Sequence, residues 1–192
     1  MPGGGLLGHD GVVPWPVEQP VLSDRVVSLR AVRDFDAGPI YEACQDPDIQ
    51  HFTQVPVPYT RSDAASFTSL CSQWWAERMT ANFAVCRAAG GAFLGVLGVI
   101  GVDHRTQAAG FGYWTAPWGR GQGATTRAAR LASRWALTEG GVTTLTAEAE
   151  LANPASMQVL ANAGFARVAG EDLTMELKGT LRIFSVWRMT AG

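Results

Sequence analysis

The sequence predicts a mixed α/β (α+β) domain built on one mostly antiparallel sheet. Strand-like patterns occupy much of residues 22–116, and a strand–helix–strand–helix–strand series follows them. Only residues 110–150 have the strand–helix–strand order of a parallel crossover, so a repeated βαβ array is not expected. A length of 192 residues suits one domain with its own hydrophobic core.

Residues 1–20 differ in composition from the rest of the chain. They contain glycine at positions 3, 4 and 5 and proline at 14, 16 and 20, with little hydrophobic periodicity. Such a segment is expected to form a flexible arm that packs, if at all, through Trp15. Residues 21–192 are expected to form a single domain, because they contain neither an internal repeat nor a sign of a second domain.

The first part of the domain is expected to hold one strand and two helices. Val26 to Ala31 has strand character, and a helix is predicted from Asp34, as its N-cap, to Gln45. Residues 46–61 contain three prolines and are expected to be irregular. Ser62 is the candidate cap of the next helix. The apolar stripe of that helix has helical spacing and consists of Phe67, Leu70, Cys71, Trp74 and Trp75.

Two adjacent tryptophans on this stripe, Trp74 and Trp75, have two interpretations. Large aromatic side chains on an apolar helix face usually pack into the core, which is the favoured interpretation. The alternative is a wall of a substrate site or a dimer contact, and Trp75 is retained as a candidate substrate-binding residue on that basis.

The later elements alternate strands with two further helices. A hairpin is predicted across Ala89–Gly91, and a helix is predicted to follow the glycines near residue 120 and to stop at Gly140–Gly141. The remaining strands are predicted over residues 82–87, 93–102, 110–116, 143–150, 165–169 and 182–189, and a last helix over residues 153–163.

Charge and hydropathy exclude several classes of partner. A formal net charge of -2 gives no overall attraction to nucleic acid or to an anionic membrane surface. The longest apolar stretch, residues 92–102, is interrupted by glycines and is too short to span a bilayer. The first residues lack a basic segment followed by an apolar one, so a secretory signal is not expected. A cytoplasmic protein without nucleic-acid or membrane partners is predicted.

The three cysteines, Cys44, Cys71 and Cys86, are odd in number and lie far apart. Their spacing does not match a metal site, and no metal is expected. Buried thiols in a reducing cytoplasm are the favoured interpretation.

A glycine-rich loop is the most informative local feature. Glycines at 119, 121 and 123 follow an aromatic strand-like run and precede an alanine-rich helical segment. Glycine lets the backbone approach a ligand closely, and the start of a helix offers free N–H groups and a positive dipole end. This junction therefore predicts an anion site, most simply for a phosphate.

Two phosphate-binding motifs compete for this loop. A nucleotide P-loop requires a lysine that the loop does not contain. The dinucleotide fingerprint G-x-G-x-x-[GA] is formally matched by Gly119, Gly121 and Ala124, and Glu148 or Glu150 could contact a ribose. However, dinucleotide domains usually start with the fingerprint and repeat the unit, whereas about a hundred residues of hairpin-like material precede it here.

A third interpretation rests on two motifs in the right order. Arg120-Gly-Gln-Gly-Ala-Thr125 resembles the [QR]-x-x-G-x-[GA] pyrophosphate loop of the GNAT superfamily of acyl-CoA-dependent N-acyltransferases. Residues 153–165 resemble the N-x-x-S-x-x-V-L-x-[KR]-x-G-F signature of its RimJ/RimL-like branch. Flanking strand patterns extend the resemblance over residues 22–190. Thr125 departs from the usual Gly or Ala, and Asn162 stands where a basic residue is common.

The resemblance implies a GNAT-like fold and an acyl-CoA site. The expected sheet has about six or seven strands, is splayed at its middle and carries helices on both faces. The strand before the loop is expected to carry a bulge, and a strand N–H near Trp114 or Thr115 is expected to polarise the thioester carbonyl. The residues expected to bind acetyl-CoA, or another acyl-CoA, are Trp114, Thr115, Arg120, Gly121, Gln122, Gly123, Ala124, Thr125, Thr126, Arg127, Asn153 and Ser156.

The resemblance also implies how protons are handled. Many superfamily members carry a proton-donating tyrosine seven residues after the Asn, but this chain has Leu160 there. In the RimJ/RimL-like branch the serine at Asn+3 has that task, and Ser156 occupies its place. Asn153 is expected to cap its helix and to bond the pantetheine arm.

The general base and the acceptor site are less constrained by the sequence. Glu148 is the candidate base, with Glu150 on the same strand face as an alternative. Further candidates for the base are His51, Tyr59 and Asp103. His51, Tyr59 and Trp75 are the candidate substrate-binding residues.

The expected reaction is direct attack of an amine on acetyl-CoA in a ternary complex. The acceptor amine is either a protein N-terminus or a small molecule, and a homodimer is possible through the sheet edges or the Trp74–Trp75 helix. The alternatives are a catalytically silent acyl-CoA-binding module and a nicotinamide-dependent enzyme.

Overall fold

The computed structural model describes residues 15–192, and in this range nine strands form one sheet. The strands are β1 (Leu22–Ser23), β2 (Val27–Ala31), β3 (Ala81–Arg87), β4 (Phe93–Asp103), β5 (Ala108–Thr115), β6 (Thr144–Glu150), β7 (Ala166–Arg167), β8 (Leu173–Leu177) and β9 (Thr180–Thr190). The helices are α1 (Ala37–Ala43), α2 (Pro47–Phe52), α3 (Arg61–Ala76), α4 (Ala124–Thr138) and α5 (Pro154–Ala163).

The sheet is antiparallel at every junction except one. Its order is β1-β2-β3-β4-β5-β6-β9-β7, with β8 also paired to β9. Strands β5 and β6 run parallel, and α4 is the crossover between them. The predicted mixed class is confirmed, and the sheet has more strands than the six or seven expected. The short β1 and the exposed β8 account for the difference.

The parallel pairing of β5 and β6 is short. It joins Ala108–Gly110 to Thr144–Thr146 and ends there, although both strands continue. The two strands therefore part toward their carboxyl ends, which is the splay that the resemblance implies. The expected bulge in β5 is not found beside this splay. Instead the β4–β5 register is regular from Gly95 to Ile100 and shifts only near the hairpin turn.

Helices cover both faces of the sheet, as expected. Alternate residues of β3, β4 and β5, such as Phe83, Leu97 and Phe111, pack into a core with α4 and α5. The intervening residues, such as Ala84 and Val96, pack into a second core with α1 and α3. The two cores place the ends of β5 and β6 between two layers of helices.

Two helix starts differ from the sequence prediction, and one short helix was not predicted. The helix predicted from Asp34 to Gln45 is a 3₁₀ turn over Asp34–Asp36 followed by α1. The segment 46–61 is not wholly irregular, because Asp46 caps α2 by accepting hydrogen bonds from two backbone N–H groups at its start. Helix α3 begins after Thr60 instead of Ser62, since Thr60 and Asp63 form a reciprocal capping box.

Trp15 is a core residue. Its side chain is 4% exposed, and its ring centroid lies 4.7 Å from that of Trp75 and 5.7 Å from that of Trp135. Its indole N–H donates a hydrogen bond to the Gly140 carbonyl at 2.7 Å. Residues 1–14 of the expected arm lie outside the described residues. The packing also assigns Trp75 to the core, the favoured interpretation of the tryptophan pair.

The three cysteines are buried and free, as predicted. Burial raises the pKa of the Cys44 and Cys71 thiols to about 12. Across residues 15–192, no three His, Cys, Asp or Glu side chains are grouped so that they could hold a metal ion. None of the helices in the described part of the chain has the length and apolar character that crossing a membrane requires.

We expect Trp15→Ala to lower the free energy of unfolding by about 3 kcal/mol or more, because it empties a buried indole site and leaves the Gly140 carbonyl without its donor. Chemical denaturation followed by circular dichroism measures the change. Val17→Ala is the matched control, because Val17 is 96% exposed and only its backbone carbonyl is used, by the Trp75 indole. Equal stability of the two variants would contradict the assignment.

Candidate active site

Where β5 and β6 part, each strand presents backbone groups that no neighbouring strand takes up. On β5, the Ala116 N–H donates to the Leu94 carbonyl of β4 at 2.9 Å. Because hydrogen-bonding direction alternates along an antiparallel strand, Trp114 also directs its N–H toward β4. Tyr113 and Thr115 then direct theirs into the gap. Of the two positions expected to supply a polarising N–H, Thr115 has the suitable direction and Trp114 does not.

The facing edge of β6 has the same character. The Ala191 N–H donates to the Thr143 carbonyl at 2.9 Å, so odd-numbered residues of β6 bond to β9. Glu148, an even-numbered residue, directs its backbone N–H and C=O into the gap. An extended ligand with amide groups could therefore pair with both strands.

A cleft of about 1530 Å³ passes through this gap from one face of the sheet to the other. On the face of α4 and α5, which we call the loop side, its lining residues include Gly121, Thr125, Asn153 and Ser156. On the opposite face, which we call the α3 side, they include Phe67, Leu70, Trp74, Ile100 and Glu148.

The glycine loop forms the end of the cleft on the loop side, and it offers a set of free N–H groups there. Gly121 and Gly123 have φ of +72° and +69°, which favours glycine. A Cβ on Gly119 would lie 2.9 Å from the Leu94 carbonyl oxygen, so only glycine fits there. In the described part of the chain, the N–H groups of residues 121–126 have no acceptor.

The start of α4 is also uncapped by any side chain, whereas α2, α3 and α5 each have a side-chain cap. A cavity of about 460 Å³ adjoins the loop and lies between it and Ala155, Gln158 and Asn162 of α5. A 15-residue helix with an uncapped N-terminus beside a cavity is suited to bind an anion.

The arginines near the loop already have partners. Arg120 contacts the carboxylates of Asp46 and, at 3.1 Å, Asp48, while Arg127 contacts Asp24 at 3.0 Å. Burial alone would raise the pKa of the Asp46 carboxyl, but hydrogen bonds from Arg120 and from backbone N–H groups outweigh it and lower the pKa. Arg120 thus ties the loop to the start of α2.

Two loop contacts were not anticipated from the sequence. Arg87, at the end of β3, donates a hydrogen bond to the Gln122 side-chain oxygen at 2.6 Å. The hydroxyls of Thr125 and Thr115 are hydrogen-bonded to each other. The unusual threonine in the loop is therefore accommodated because its hydroxyl has a partner on β5.

Ser156 lies on the loop side, held by two neighbours. Its N–H donates to the Asn153 side-chain oxygen at 3.0 Å, which makes Asn153 the N-cap of α5. Its hydroxyl oxygen lies 3.0 Å from that of Tyr113, whose hydroxyl also donates to the Ser156 carbonyl at 2.9 Å. Burial, only partly offset by the hydrogen bond with Ser156, raises the pKa of Tyr113 to about 12.

Tyr113 was missed as a site residue by sequence reasoning. A signal for it exists, since Tyr113 shares a strand face with Thr115, on the side toward the glycine loop.

The two candidate carboxylates of β6 have different surroundings. Glu148 is exposed in the cleft and forms no ion pair within residues 15–192. The Glu150 carboxylate accepts a hydrogen bond from Arg182 at 3.1 Å and lies 3.9 Å from the His51 ring. Glu150 is thus held in an ion pair, which leaves Glu148 as the carboxylate available to a ligand.

The remaining candidates for the base and the acceptor site either lie outside the cleft, as His51 and Trp75 do, or line it with side chains that already have neighbours. His51 is half-exposed, packs edge-on against Phe52 and does not line the cleft. Tyr59 lines the cleft wall, but burial raises its pKa, and its side chain lies beside the Cys44 thiol. Asp103 accepts hydrogen bonds from two N–H groups of the β4–β5 turn. Trp75 lies in the core, and its neighbour Trp74 lines the cleft instead.

The sequence matches one protein family over most of its length. Residues 27–166 match the family described as acetyltransferase (GNAT) domain. No curated protein sequence matches the chain.

Solved structures share the fold at low sequence identity. RimL, a ribosomal alpha-N-protein acetyltransferase in complex with coenzyme A, has a TM-score of 0.80 at 14% identity, covering 89% of this chain and 98% of its own. RimJ from Mycobacterium smegmatis in complex with CoA-disulfide has a TM-score of 0.77 at 24% identity, covering 90% and 86%. Spermidine N-acetyltransferase from Vibrio cholerae in complex with CoA and spermine has 0.73 at 17% identity, covering 86% and 95%.

We expect Arg120→Ala to lower the melting temperature at pH 7 by roughly 2–4 °C or less, since a partly exposed ion pair contributes up to about 1 kcal/mol. The folded-state pKa of Asp46 is lowered, so this stabilisation is present at neutral pH. This stabilisation is lost as the pH falls below 3.8 and through the lowered pKa of Asp46. The melting temperatures of the unsubstituted protein and of Arg120→Ala should therefore converge at the acidic end of this range.

Arg105→Ala is the control, because Arg105 is 86% exposed and its pair with Asp103 is 4.0 Å long. Differential scanning fluorimetry from pH 3 to pH 8 compares the three proteins. A difference for Arg120→Ala that does not depend on pH would contradict the role of Asp46.

Proposed function

The chain belongs to the GNAT acetyltransferase family and is an acyl-CoA-dependent N-acetyltransferase, and we propose that it transfers the acetyl group of acetyl-CoA to a primary amine by direct attack in a ternary complex. The observation that carries this proposal is the gap between β5 and β6, which is open to both faces and ends at an uncapped helix. One face would receive the donor and the other the acceptor.

The loop side fits coenzyme A. The N–H groups of residues 121–126 have no acceptor in the described part of the chain, and most of these residues line an open cavity, so they would hold the pyrophosphate. The backbone groups that face the gap, apart from the Thr115 N–H, would bond the amide groups of the pantetheine arm. Asn153, at the turn between β6 and α5, borders the same path.

Acetyl-CoA supplies a thioester whose carbonyl carbon is attacked by the amine. The Thr115 N–H points into the gap and would donate a hydrogen bond to the carbonyl oxygen, where negative charge develops. Only the backbone of Thr115 is used for this, while its side chain is bonded to Thr125.

Ser156 would donate a proton to the departing sulfur, and Tyr113 would position it. The two hydroxyl oxygens lie 3.0 Å apart, and the phenol proton bonds the Ser156 carbonyl, so the phenol oxygen would hold and orient the serine hydroxyl. Because the pKa of Tyr113 is raised to about 12, the phenol keeps its proton throughout the neutral range. This pair takes the place of the tyrosine that position 160 lacks.

Glu148 would accept the proton of the amine, directly or through water. Its side chain is exposed on the α3 side of the cleft, and its backbone lies at the edge of the gap. An unpaired carboxylate also attracts the ammonium form of the acceptor. Glu150, in contrast, is held by Arg182 and would contribute to the shape of the site.

The donor site is tested by thermal-shift measurements with acetyl-CoA, succinyl-CoA, free CoA, NAD(H) and NADP(H). A ligand that binds only the folded state adds about 2.7 kcal/mol at a hundred times its dissociation constant. We expect stabilisation by the CoA compounds alone. Stabilisation by a dinucleotide instead would overturn the proposal, and CoA binding without turnover of any amine would identify a silent acyl-CoA-binding module.

We expect Gly123→Glu to abolish stabilisation by acetyl-CoA while the domain remains folded. A carboxylate at the start of α4 opposes the pyrophosphate, and a Cβ there meets no atom within 4 Å, so the cost is the strain of φ +69°, about 1–2 kcal/mol. Gly90→Glu is the matched control, since Gly90 has φ +80° and equally open space but lies in the β3–β4 turn. Unchanged affinity of Gly123→Glu would overturn the location of the pyrophosphate.

We expect Ser156→Ala to lower kcat by about a hundredfold, the usual range for loss of a general acid, with a nearly unchanged KM for acetyl-CoA. Tyr113→Phe should lower kcat less, and the double variant should lose less than the two single effects combined, because the hydroxyls act together. Steady-state thiol release measures each effect. Ser133→Ala, which alters a buried serine of α4, is the control, and a normal kcat for Ser156→Ala would exclude its role as the acid.

A further inference from the structure

Four residues form a row across the sheet on the α3 side of the cleft. Asn82 pairs with Gly98, and Gly98 pairs with Gly112. Gly110 of β5 pairs with Thr146 of β6. The two strands run parallel, so two residues further on Glu148 stands level with Gly112, at the point where the strands part. Strand alternation puts all four on one face. A row with polar ends and two central glycines has a shallow middle.

The two glycines let the Ile100 side chain lie flat on the sheet. A Cβ on Gly98 would stand 3.0 Å from the Ile100 Cγ1 atom, and a Cβ on Gly112 would stand 3.2 Å from its Cδ1 atom. Ile100 therefore covers both glycines, yet it remains 46% exposed. The middle of the row is thus an apolar floor, open toward the cleft.

Helix α3 supplies an apolar wall to the same cleft. Phe67, Leu70 and Trp74 are spaced i, i+3 and i+7, which places them on one helix face, and all three line the cleft. Leu70 is 38% exposed although it lies on this face. Apolar groups that border a cleft and stay exposed mark a ligand site. We call the space between this wall and Ile100 the slot.

The gap end of the slot is anionic. Two other carboxylates that line this part of the cleft have local partners, since Glu150 is bonded to Arg182 and Asp103 to the N–H groups of its turn. Glu176 on β8 also lines the cleft, but it does not belong to the row. Glu148 has no ion pair within residues 15–192. This charge suits an ammonium group at the place where an amine would attack.

The far end of the slot is polar and uncharged. Asn82 is 6% exposed and lines the cleft, and its side-chain oxygen lies 2.7 Å from where a Cβ of Gly98 would be. Its side chain lies beside the Cys71 thiol, and within residues 15–192 its amide atoms are not among the buried polar atoms that lack a partner, which agrees with an amide open to the cleft. A buried amide of this kind gains by bonding a ligand.

We propose that the acceptor is a small primary amine with an aromatic or aliphatic body and a neutral hydrogen-bonding group at its far end. Its amine would lie at Glu148, its body between Ile100 and the α3 wall, and its far group at Asn82. The inference rests on the proposed acetyltransferase function and names the acceptor class for that site.

Two other acceptor classes fit the slot less well. A peptide N-terminus would bring backbone N–H and C=O groups against the apolar floor and wall, where they would lose their hydrogen bonds to water. A polyamine would place a second charge in the apolar middle. Two paired-strand spacings, about 10 Å, separate Asn82 from Gly112, and the wider gap between β5 and β6 then separates Gly112 from Glu148, which leaves room for a body of at least one ring.

The experiment compares thiol release from acetyl-CoA with four acceptors: 2-phenylethylamine, tyramine, spermidine and a short peptide with a free N-terminal serine. We expect kcat/KM for the two aromatic amines to exceed the other two by at least tenfold. Tyramine should exceed 2-phenylethylamine by up to about tenfold because its hydroxyl can bond Asn82. That preference should disappear in Asn82→Ala.

Ile100→Asn tests the floor. It should raise KM for tyramine at least tenfold while stabilisation by acetyl-CoA stays unchanged. Ile183→Asn is the matched control, because Ile183 is 50% exposed on β9 and does not line the cleft. Equal KM values for the two variants would overturn the slot as the acceptor site.

The outcomes separate the two levels of the proposal. Preference for spermidine or the peptide, with acetyl-CoA binding intact, overturns the acceptor class and leaves the acetyltransferase function in place. Turnover of none of the four, with acetyl-CoA bound, overturns the acceptor class and supports the silent module. Absence of any stabilisation by acetyl-CoA overturns the proposed function itself.

Discussion

The parting of β5 and β6 after three paired residues is the constraint on which the site depends. A buried strand edge with unpaired N–H and C=O groups is costly unless something bonds it. Here the backbone groups of Tyr113, Thr115 and Glu148 that no neighbouring strand takes up border the cleft between the two strands. Affinity for an amide-containing ligand and the stability of the sheet are therefore properties of the same backbone groups.

Sequence patterns predicted most of the strands and helices that form the fold of this protein, and they singled out the glycine loop and the start of α5. The glycines at 119, 121 and 123 and the Asn153–Ser156 spacing are local features, and local features can be recognised in one dimension. The β8 strand was missed because its residues are largely exposed and carry a weak pattern, although Lys178 and Gly179, both with positive φ, mark the hairpin turn that follows it.

The acceptor side was harder to predict because it depends on pairings between distant segments. His51 and Trp75 have suitable side chains, but His51 lies outside the cleft lining and Trp75 is held in the core by Trp15, sixty residues away in sequence. The Tyr113–Ser156 and Arg120–Asp46 contacts each join residues more than forty positions apart. Alternation along β5 indicates which way Tyr113 points, but nothing in the sequence indicates which hydroxyl it meets.

The cleft is open on both faces of the sheet, with lining residues from the glycine loop on one side and from α3 on the other. A cleft with two openings would let each of the two substrates enter and leave by its own opening. The large nucleotide-bearing donor would bind and dissociate through the opening on the loop side, while the acceptor and its acetylated product would use the opening on the α3 side. Because the two paths do not cross, neither substrate would block the binding of the other. The coenzyme product could then be exchanged for a new donor while an acceptor remains bound on the other side.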